Sequence, residues 1–167
     1  MYRYLPDFIA KSIFEMDLKK LKDMGIKGLA VDIDNTLVPM NVKEPSEQAA
    51  KWVERAKAMG FQICILSNAM NHRAELFMDK LGIHGVGFAQ KPSRKGYDKA
   101  AERMGLTHRE CAILGDQLFT DIKGGVKAGF VTVFTEYLDS NEIKWIKFKR
   151  IFEDRIIKKN TDGIEKI

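Results

Sequence analysis

The sequence predicts an α/β fold with a mainly parallel, five-stranded sheet covered by helices. Two observations predict it. Helical and strand-like periodicities alternate from end to end, as they do when each strand is followed by a crossover helix. Runs such as Phe61-Gln62-Ile63-Cys64-Ile65-Leu66 are apolar almost without interruption, the pattern of strands buried on both faces. At 167 residues and 45% hydrophobic content, the chain suits one compact domain over residues 1–167 with a full core. No repeat, low-complexity tract or linker divides it.

An N-terminal helical extension is expected over residues 1–26, its helix running from Phe8 to Met24 and closed by Gly25. Lys27 to Asp32 is the first strand. Pro45-Ser46 opens a helix to Met59 with Trp52, Val53 and Ala56 on its core face and Gly60 as its stop. The strand Phe61 to Leu66 leads to a helix over Asn71 to Leu81. Val86-Gly87-Phe88-Ala89 is a short third strand entering Gln90-Lys91-Pro92, and Ser93 caps a helix running to Met104. Cys111 to Leu114 is the fourth strand, emptying into Gly115-Asp116 and on to Asp121. A short helix then reaches Gly129, Phe130 to Phe134 is the fifth strand, and residues 138–167 form a basic C-terminal helix or tail.

No apolar stretch approaches the roughly 18 residues that cross a bilayer, and Asp7 and Glu15 interrupt what a signal peptide would need as an unbroken apolar core. An intracellular, cytoplasmic protein is expected. Cys64 and Cys111 sit inside strand-like runs and read as small core residues without a function. The net charge of +5 fits either phosphate-bearing partners or a solvated lysine-rich surface. His72, His84 and His108 lack metal-ligand spacing, and Gly124-Gly125 reads as tight packing.

The segment Gly28-Leu29-Ala30-Val31-Asp32-Ile33-Asp34-Asn35-Thr36-Leu37 delivers two carboxylates, one residue apart, from an apolar strand into a turn. Alternate strand residues face the same way, so Asp32 and Asp34 converge if the backbone bends there. A buried carboxylate pair calls for a cation; a solvated Asp-Asn turn is the other reading of this segment alone. The wider arrangement decides between them. Asp32/Asp34, Ser67, Lys91 and Asp116/Asp121 each lie just beyond the C-terminal end of a strand, where open parallel sheets bind ligands.

Carboxylate oxygens suit Mg²⁺, while Lys91 and the Ser67 hydroxyl suit phosphate oxygens. Asp32 then serves as a nucleophile giving an aspartyl-phosphate, and Asp34 protonates the leaving group and later deprotonates water. Taken singly the motifs are weak: Lys91-Pro92 is a surface turn, Ser67-Asn68 a helix cap, and Asp121 a cap before Ile122.

In order, Asp32-Ile33-Asp34-Asn35-Thr36, Ser67-Asn68, Lys91-Pro92 and Gly115-Asp116 through Asp121 resemble the four motifs of the haloacid dehalogenase superfamily. The resemblance implies a Rossmannoid three-layer sandwich, and the short intervals between its motifs leave no large cap domain. It makes Asp32 the nucleophile and Asp34 the acid/base, with Ser67, Asn68 and Lys91 on the phosphate. Mg²⁺ would be held by Asp32, the Asp34 main-chain carbonyl and Asp116, with Asp121 as a supporting acidic group. The second aspartate resembles the phosphatase branch rather than the dehalogenases. The opening stretch Tyr2 to Ile9, the Gly25-Ile26-Lys27-Gly28 approach and Asp34-Asn35-Thr36-Leu37-Val38-Pro39 are also similar to YqeG-like, subclass IIIA phosphatases related to phosphatidylglycerophosphatase. That closer resemblance, up to about Tyr137, implies hydrolysis of phosphatidylglycerophosphate at the inner face of a membrane.

Neither Leu37 to Phe61 nor Asn68 to Lys91 can encode a lid domain, so the site is expected to be open. Trp145, Phe148, Phe152 and Ile156 repeat at helical spacing among Lys144, Lys147, Lys149, Arg150, Arg155, Lys158 and Lys159. Such a helix either lies on an anionic membrane or packs its apolar stripe on the sheet. The expected partner is a phosphorylated substrate, a lipid first, with peripheral membrane contact and no nucleic-acid partner. A phosphatase of soluble metabolites or nucleic-acid ends, and a non-catalytic module binding phosphorylated or acidic partners, stay open; the oligomeric state is not written in the sequence.

Overall fold

The computed structural model describes residues 3–40, 42–140, 142 and 144–167; Tyr2 of the aromatic opening stretch lies outside them. In chain order the elements are β1 (Phe8–Ala10), α1 (Leu18–Asp23), β2 (Gly28–Val31), α2 (Glu47–Ala58), β3 (Gln62–Leu66), α3 (Asn71–Leu81) and β4 (His84–Val86). There follow α4 (Arg94–Met104), β5 (Cys111–Gly115), α5 (Lys123–Ala128), β6 (Val131–Thr135), α6 (Lys144–Asn160) and β7 (Glu165–Lys166). The strands form one sheet in the order β4-β3-β2-β5-β6-β1-β7, and every pairing is parallel.

Strand alternation divides the core between the two faces of the sheet. Leu29, Val31, Ile63, Ile65, Ala112 and Leu114 pack with Leu18, Leu21, Trp52, Val53, Ala56, Ala74 and Phe77 of α1, α2 and α3. Ala30, Cys64, Leu66, Cys111 and Ile113 turn the other way onto Tyr97, Ala100, Ala101, Met104 and Ala128 of α4 and α5. The helix stops and caps follow the local sequence. Ser46 Oγ accepts from Ala49 N at 3.1 Å ahead of α2, and Ser93 caps α4. The Gly124-Gly125 pair does mark tight packing: a Cβ on either would collide with Tyr97, or with Ile113 and Thr132.

The sheet has seven strands among the described residues, not five. The added strands are short and pair only at long range, which hides them from local periodicity. The expected helix over Phe8 to Met24 is instead β1, a turn and α1. Phe8, Ile9 and Ala10 are all buried and register with Val133, Phe134 and Thr135, so this segment follows its tertiary partner rather than a helical pattern. Asp7 locks the register, its Oδ2 accepting from Thr132 N and Thr132 Oγ1, each at 2.8 Å. Asp17 then caps α1 through Lys19 N at 3.0 Å. The third predicted strand shifts from Val86–Ala89 to His84–Val86, because Phe88 and Gln90 adopt positive φ (47° and 55°) and take the chain out of the sheet.

The chain runs outward from β2 through β3 to β4, then crosses back to β5 on the other side of β2. The crevice at the carboxyl ends of β2 and β5 is therefore the point where strand order reverses, the place where open α/β sheets bind ligands.

Both cysteines are free and buried, and burial pushes each thiol up to about 12. The thiolate is the reactive form, so the native protein at neutral pH should give no fast reaction with a disulfide reagent, whereas the chain unfolded in guanidinium should titrate both thiols promptly. A rapid native-state reaction would contradict this packing.

Candidate active site

The first loop of the site begins where β2 stops. Asp32 N still donates to Leu114 O (3.1 Å), prolonging the pairing with β5, and Ile33 N then turns back to Asp32 Oδ1 at 2.9 Å. A tight loop closes through Asn35 N to Val38 O at 2.7 Å, with Asn35 at φ +58°, a conformation asparagine tolerates better than most residues. This loop separates the two aspartates by role. Asp32 is buried and faces Lys91, whose Nζ lies 3.0 Å from Asp32 Oδ1. Asp34 is partly exposed, and its Oδ2 pairs with Arg73 Nη1 of α3 at 2.8 Å; Arg73 also donates to Val42 O.

Beyond β3, the buried Ser67 accepts from Ala69 N through its Oγ at 3.1 Å. Asn68 clasps the main chain of Lys91: Lys91 N donates to Asn68 Oδ1 at 2.7 Å, and Asn68 Nδ2 donates to Lys91 O at 3.2 Å. This pairing puts the Lys91 ammonium under the site, with Nζ also 2.5 Å from Asp121 Oδ1. Gly115 at the end of β5 is required by close approach, because a Cβ there would occupy the space of the Asp121 carboxylate. Tyr97 OH donates to Thr120 O and Asp121 O (3.1 and 2.9 Å), and Gln117 N donates to Asp121 Oδ2 at 3.1 Å, so the acidic loop is held from both sides.

Asp32, Asp116 and Asp121 are buried and present carboxylate oxygens within 4.8 Å of one another. Burial pushes Asp32 up to about 6 against the opposing pull of Lys91, and pushes Asp116 up to about 8 against that of Arg150. Lys91 is raised in turn: burial alone would lower it, but Asp121 and Asp32 outweigh that. The donor set fits a hard divalent cation such as Mg²⁺, since clustered buried carboxylates that resist ionisation are what an added cation relieves.

Sequence reading missed the other side of the site. Arg150 of α6 is buried, and its guanidinium donates to both Asp116 Oδ2 and Asp116 O. It also reaches Glu142 Oε1 at 2.6 Å and Glu153 Oε2 at 3.3 Å, while Tyr137 lies beneath it with 4.9 Å to the ring centroid. Glu142 Oε1 accepts from Asn35 Nδ2 at 2.7 Å, Glu153 Oε1 from Phe119 N at 3.0 Å, and Thr36 Oγ1 lies 3.1 Å from Asp116 Oδ1. Nothing local marks Arg150 among the basic residues of the helix; only the Glu153 three residues on hints at a pair.

α6 borders the site, a neighbour that the intervals between the motifs did not predict. A cavity of about 310 Å³ is lined by Asp32, Asp34, Ser67, Asn68 and Lys91 on one side and by Trp145, Ile146 and Lys149 of α6 on another. Of the two packings the sequence left open, neither holds for the whole helix: Arg150 and Glu153 face inward and Ile156 packs on the core, whereas Trp145 is 67% exposed and Phe148 52%.

Residues 41–129 match the family of haloacid dehalogenase-like hydrolases. The chain is 35% identical over 154 residues to the Bacillus subtilis protein named "Probable phosphatase YqeG", covering 92% of this chain and 90% of that one. This chain belongs to the haloacid dehalogenase-like hydrolases. It is a phosphatase of that family, and the convergence of its four motifs on one crevice is what the family resemblance implied. An Arabidopsis thaliana phosphatidylglycerophosphate phosphatase 1, chloroplastic/mitochondrial, is 30% identical over 151 residues, covering 85% of this chain but 43% of the plant protein. The fold is shared with a Moraxella catarrhalis 3-deoxy-D-manno-octulosonate 8-phosphate phosphatase solved with magnesium and phosphate ions, at a TM-score of 0.51 and 20% identity, over 70% of this chain and 73% of that one.

In this haloacid dehalogenase-like phosphatase, removing Arg150 leaves Asp116, Glu142 and Glu153 buried without their shared cation. Arg150→Met should therefore lower unfolding stability by about 3 kcal/mol or more in guanidinium titrations. Lys51→Met, which breaks the exposed Lys51–Glu47 pair, should change it by less than about 1 kcal/mol. Equal effects would show that the buried network does not hold α6.

Proposed function

We propose that this phosphatase is a Mg²⁺-dependent phosphomonoesterase working through an aspartyl-phosphate on Asp32, and that its substrate is phosphatidylglycerophosphate. The observation that carries the chemistry is the Lys91 ammonium, 3.0 Å from Asp32 Oδ1, at the floor of a cavity that Asp34 and Ser67 also line. Asp32 attacks phosphorus in line as the ester oxygen departs with a proton from Asp34. Water then attacks the aspartyl-phosphate, Asp34 takes its proton, and phosphate leaves with Asp32 regenerated. Lys91 and the Ser67 hydroxyl stabilise the phosphoryl oxygens, and Arg73 holds the Asp34 carboxylate at the cavity wall. Asp32, Asp116 and the Asp34 main-chain carbonyl would hold Mg²⁺ with Asp121 in support; the bound ion supplies positive charge for the transferring group and lessens repulsion between anionic nucleophile and substrate.

The lipid substrate is supported by the Arabidopsis thaliana relative and by the outer face of α6. Trp145 stacks on Phe148 at 6.0 Å between centroids and Phe148 meets Phe152 at 5.2 Å, making an exposed aromatic ladder flanked by Lys144 and Lys147. Aromatic side chains beside lysines suit an anionic lipid surface, and Trp145 also lines the cavity, so the site would open toward that surface. This reading makes the protein peripheral on an inner membrane face; no described helix is long and apolar enough to cross a membrane. A small soluble phosphate ester also fits a cavity of about 310 Å³ and is the second reading.

Asp32→Asn should abolish phosphate release while substrate binding persists, and chelating divalent metal should do the same reversibly. A wild-type chain inert on every phosphomonoester would leave a binding role. Phosphatidylglycerophosphate in anionic vesicles should turn over faster than sugar phosphates or phosphorylated oligonucleotides, and Phe148→Ala should slow vesicle turnover specifically. Equal or slower lipid turnover would favour the soluble substrate.

A further inference from the structure

We infer that Lys149 is a specificity-determining residue: α6 serves as the missing cap and presents this ammonium to a second anionic group on the leaving-group side of the substrate. The inference deepens the phosphatase reading and rests on it. Asp32, Ser67 and Lys91 form the cavity floor that receives the phosphoryl group, so the leaving group must lie against the remaining wall. That wall includes Met40, Gln117, Thr120, Trp145, Ile146 and Lys149.

Lys149 is the cation of that wall. It is half-buried, and its Nζ donates to Gln117 Oε1 at 3.0 Å, a neutral acceptor in the loop that carries Asp116. It makes no close ion pair among the described residues: its charge acts on Glu153 from a distance, and that carboxylate is bonded to Arg150 and Phe119 N. A lysine ammonium has three donors, so two remain after the Gln117 bond to meet a ligand. Anchoring does not explain the tether, because Arg150 already fixes α6 from within, and immobilising a lysine side chain costs conformational entropy. What the tether achieves is a positive charge held at a fixed place on that wall, which also carries the apolar Ile146, Trp145 and Met40. A phosphomonoester whose leaving group carries a further negative charge on a short apolar frame matches that wall; one with an uncharged leaving group leaves the ammonium unanswered. The second anion is either a carboxylate or a phosphodiester.

The test compares kcat/KM of the full chain with Mg²⁺ on three esters: glycerol 3-phosphate, with a neutral leaving group; 3-phosphoglycerate, with a carboxylate; and dihexanoyl phosphatidylglycerophosphate, with a phosphodiester. The readout is the ratio of each anion-bearing ester to the neutral one, which cancels any general loss of activity or folded protein. Lys149→Met should reduce at least one ratio roughly tenfold, as expected for losing a hydrogen bond to a charged group, and Lys149→Arg should restore most of it. A fall on the diester ester alone assigns the phosphodiester, and a fall on both assigns a general anion subsite. Ratios unchanged by Lys149→Met, with all three esters hydrolysed, overturn the role of Lys149 and leave the phosphatase reading intact. No hydrolysis of any ester by the wild type overturns both.

Discussion

Asp32, Asp116 and Asp121 are withdrawn from water within 4.8 Å of one another, a concentration of charge that a folded chain holds only against opposing cations. Lys91 and Arg150 supply them from different parts of the chain. Lys91 arrives from the loop after β4, positioned by the clasp of Asn68 on its main chain, and touches Asp32 and Asp121. Arg150 arrives from α6 and takes Asp116. Neither cation serves all three carboxylates, so the two together fix the relative places of the β2, β4 and β5 loops. Burial, with the neighbouring carboxylates adding to it, raises Asp32 and Asp116 toward their protonated forms against the pull of Lys91 and Arg150, and a divalent ion would relieve that cost.

The C-terminal helix shows how strongly this constraint acts. An amphipathic helix normally turns its apolar stripe inward. In α6 the inward face carries Arg150 and Glu153, with Ile156 and Ile157 packing on Ile9, Leu118, Ile122 and Phe134 farther along. Phe148 and Phe152 face out, and Trp145, though exposed, also lines the cavity. The buried ionic contacts to Asp116 and Phe119 N select the rotation of the helix, and the apolar contacts at its C-terminal half are arranged around that choice. An exposed stripe of Trp145, Phe148 and Phe152 is the kind of contiguous apolar patch that marks an interaction surface.

The parts of the site legible in the sequence were those whose signal is local. A run such as Leu29-Ala30-Val31 ending in Asp32, or Cys111 to Leu114 ending in Gly115-Asp116, announces both the strand and the carboxylate at its end, and parallel topology brings those ends together. Serine caps at Ser46 and Ser93 and the core face of α2 were readable for the same reason. β1 was not, because three buried residues fit either periodicity and only Val133 to Thr135, far along the chain, make them a strand. Arg150, Glu142 and Arg73 carry no local mark that separates them from surface charge; their meaning lies in which carboxylates the fold places beside them. Asp34 was legible as a carboxylate but not as the partner of Arg73, for the same reason.

Asp139, Glu142 and Arg150 also join the β2 and β5 loops in a way the sheet alone does not. Thr36 reaches Asp116 directly at 3.1 Å. Outside that contact runs a second path: Asn35 accepts from Asp139 N and donates to Glu142, Glu142 meets Arg150, and Arg150 closes on Asp116. The loop bearing Asp32 and the loop bearing Asp116 are therefore tied twice, once directly and once through residues of the C-terminal segment. Electrostatic catalysis depends on groups that do not have to reorganise when charge develops, and a doubly tied pair of loops meets that requirement without a closing domain. A fixed wall has a consequence of its own. An inserted cap can select its substrate by the energy of closure, whereas a helix pinned by Arg150 selects by what its inward residues offer a leaving group already in place, and that puts the burden of discrimination on Lys149 and its apolar neighbours.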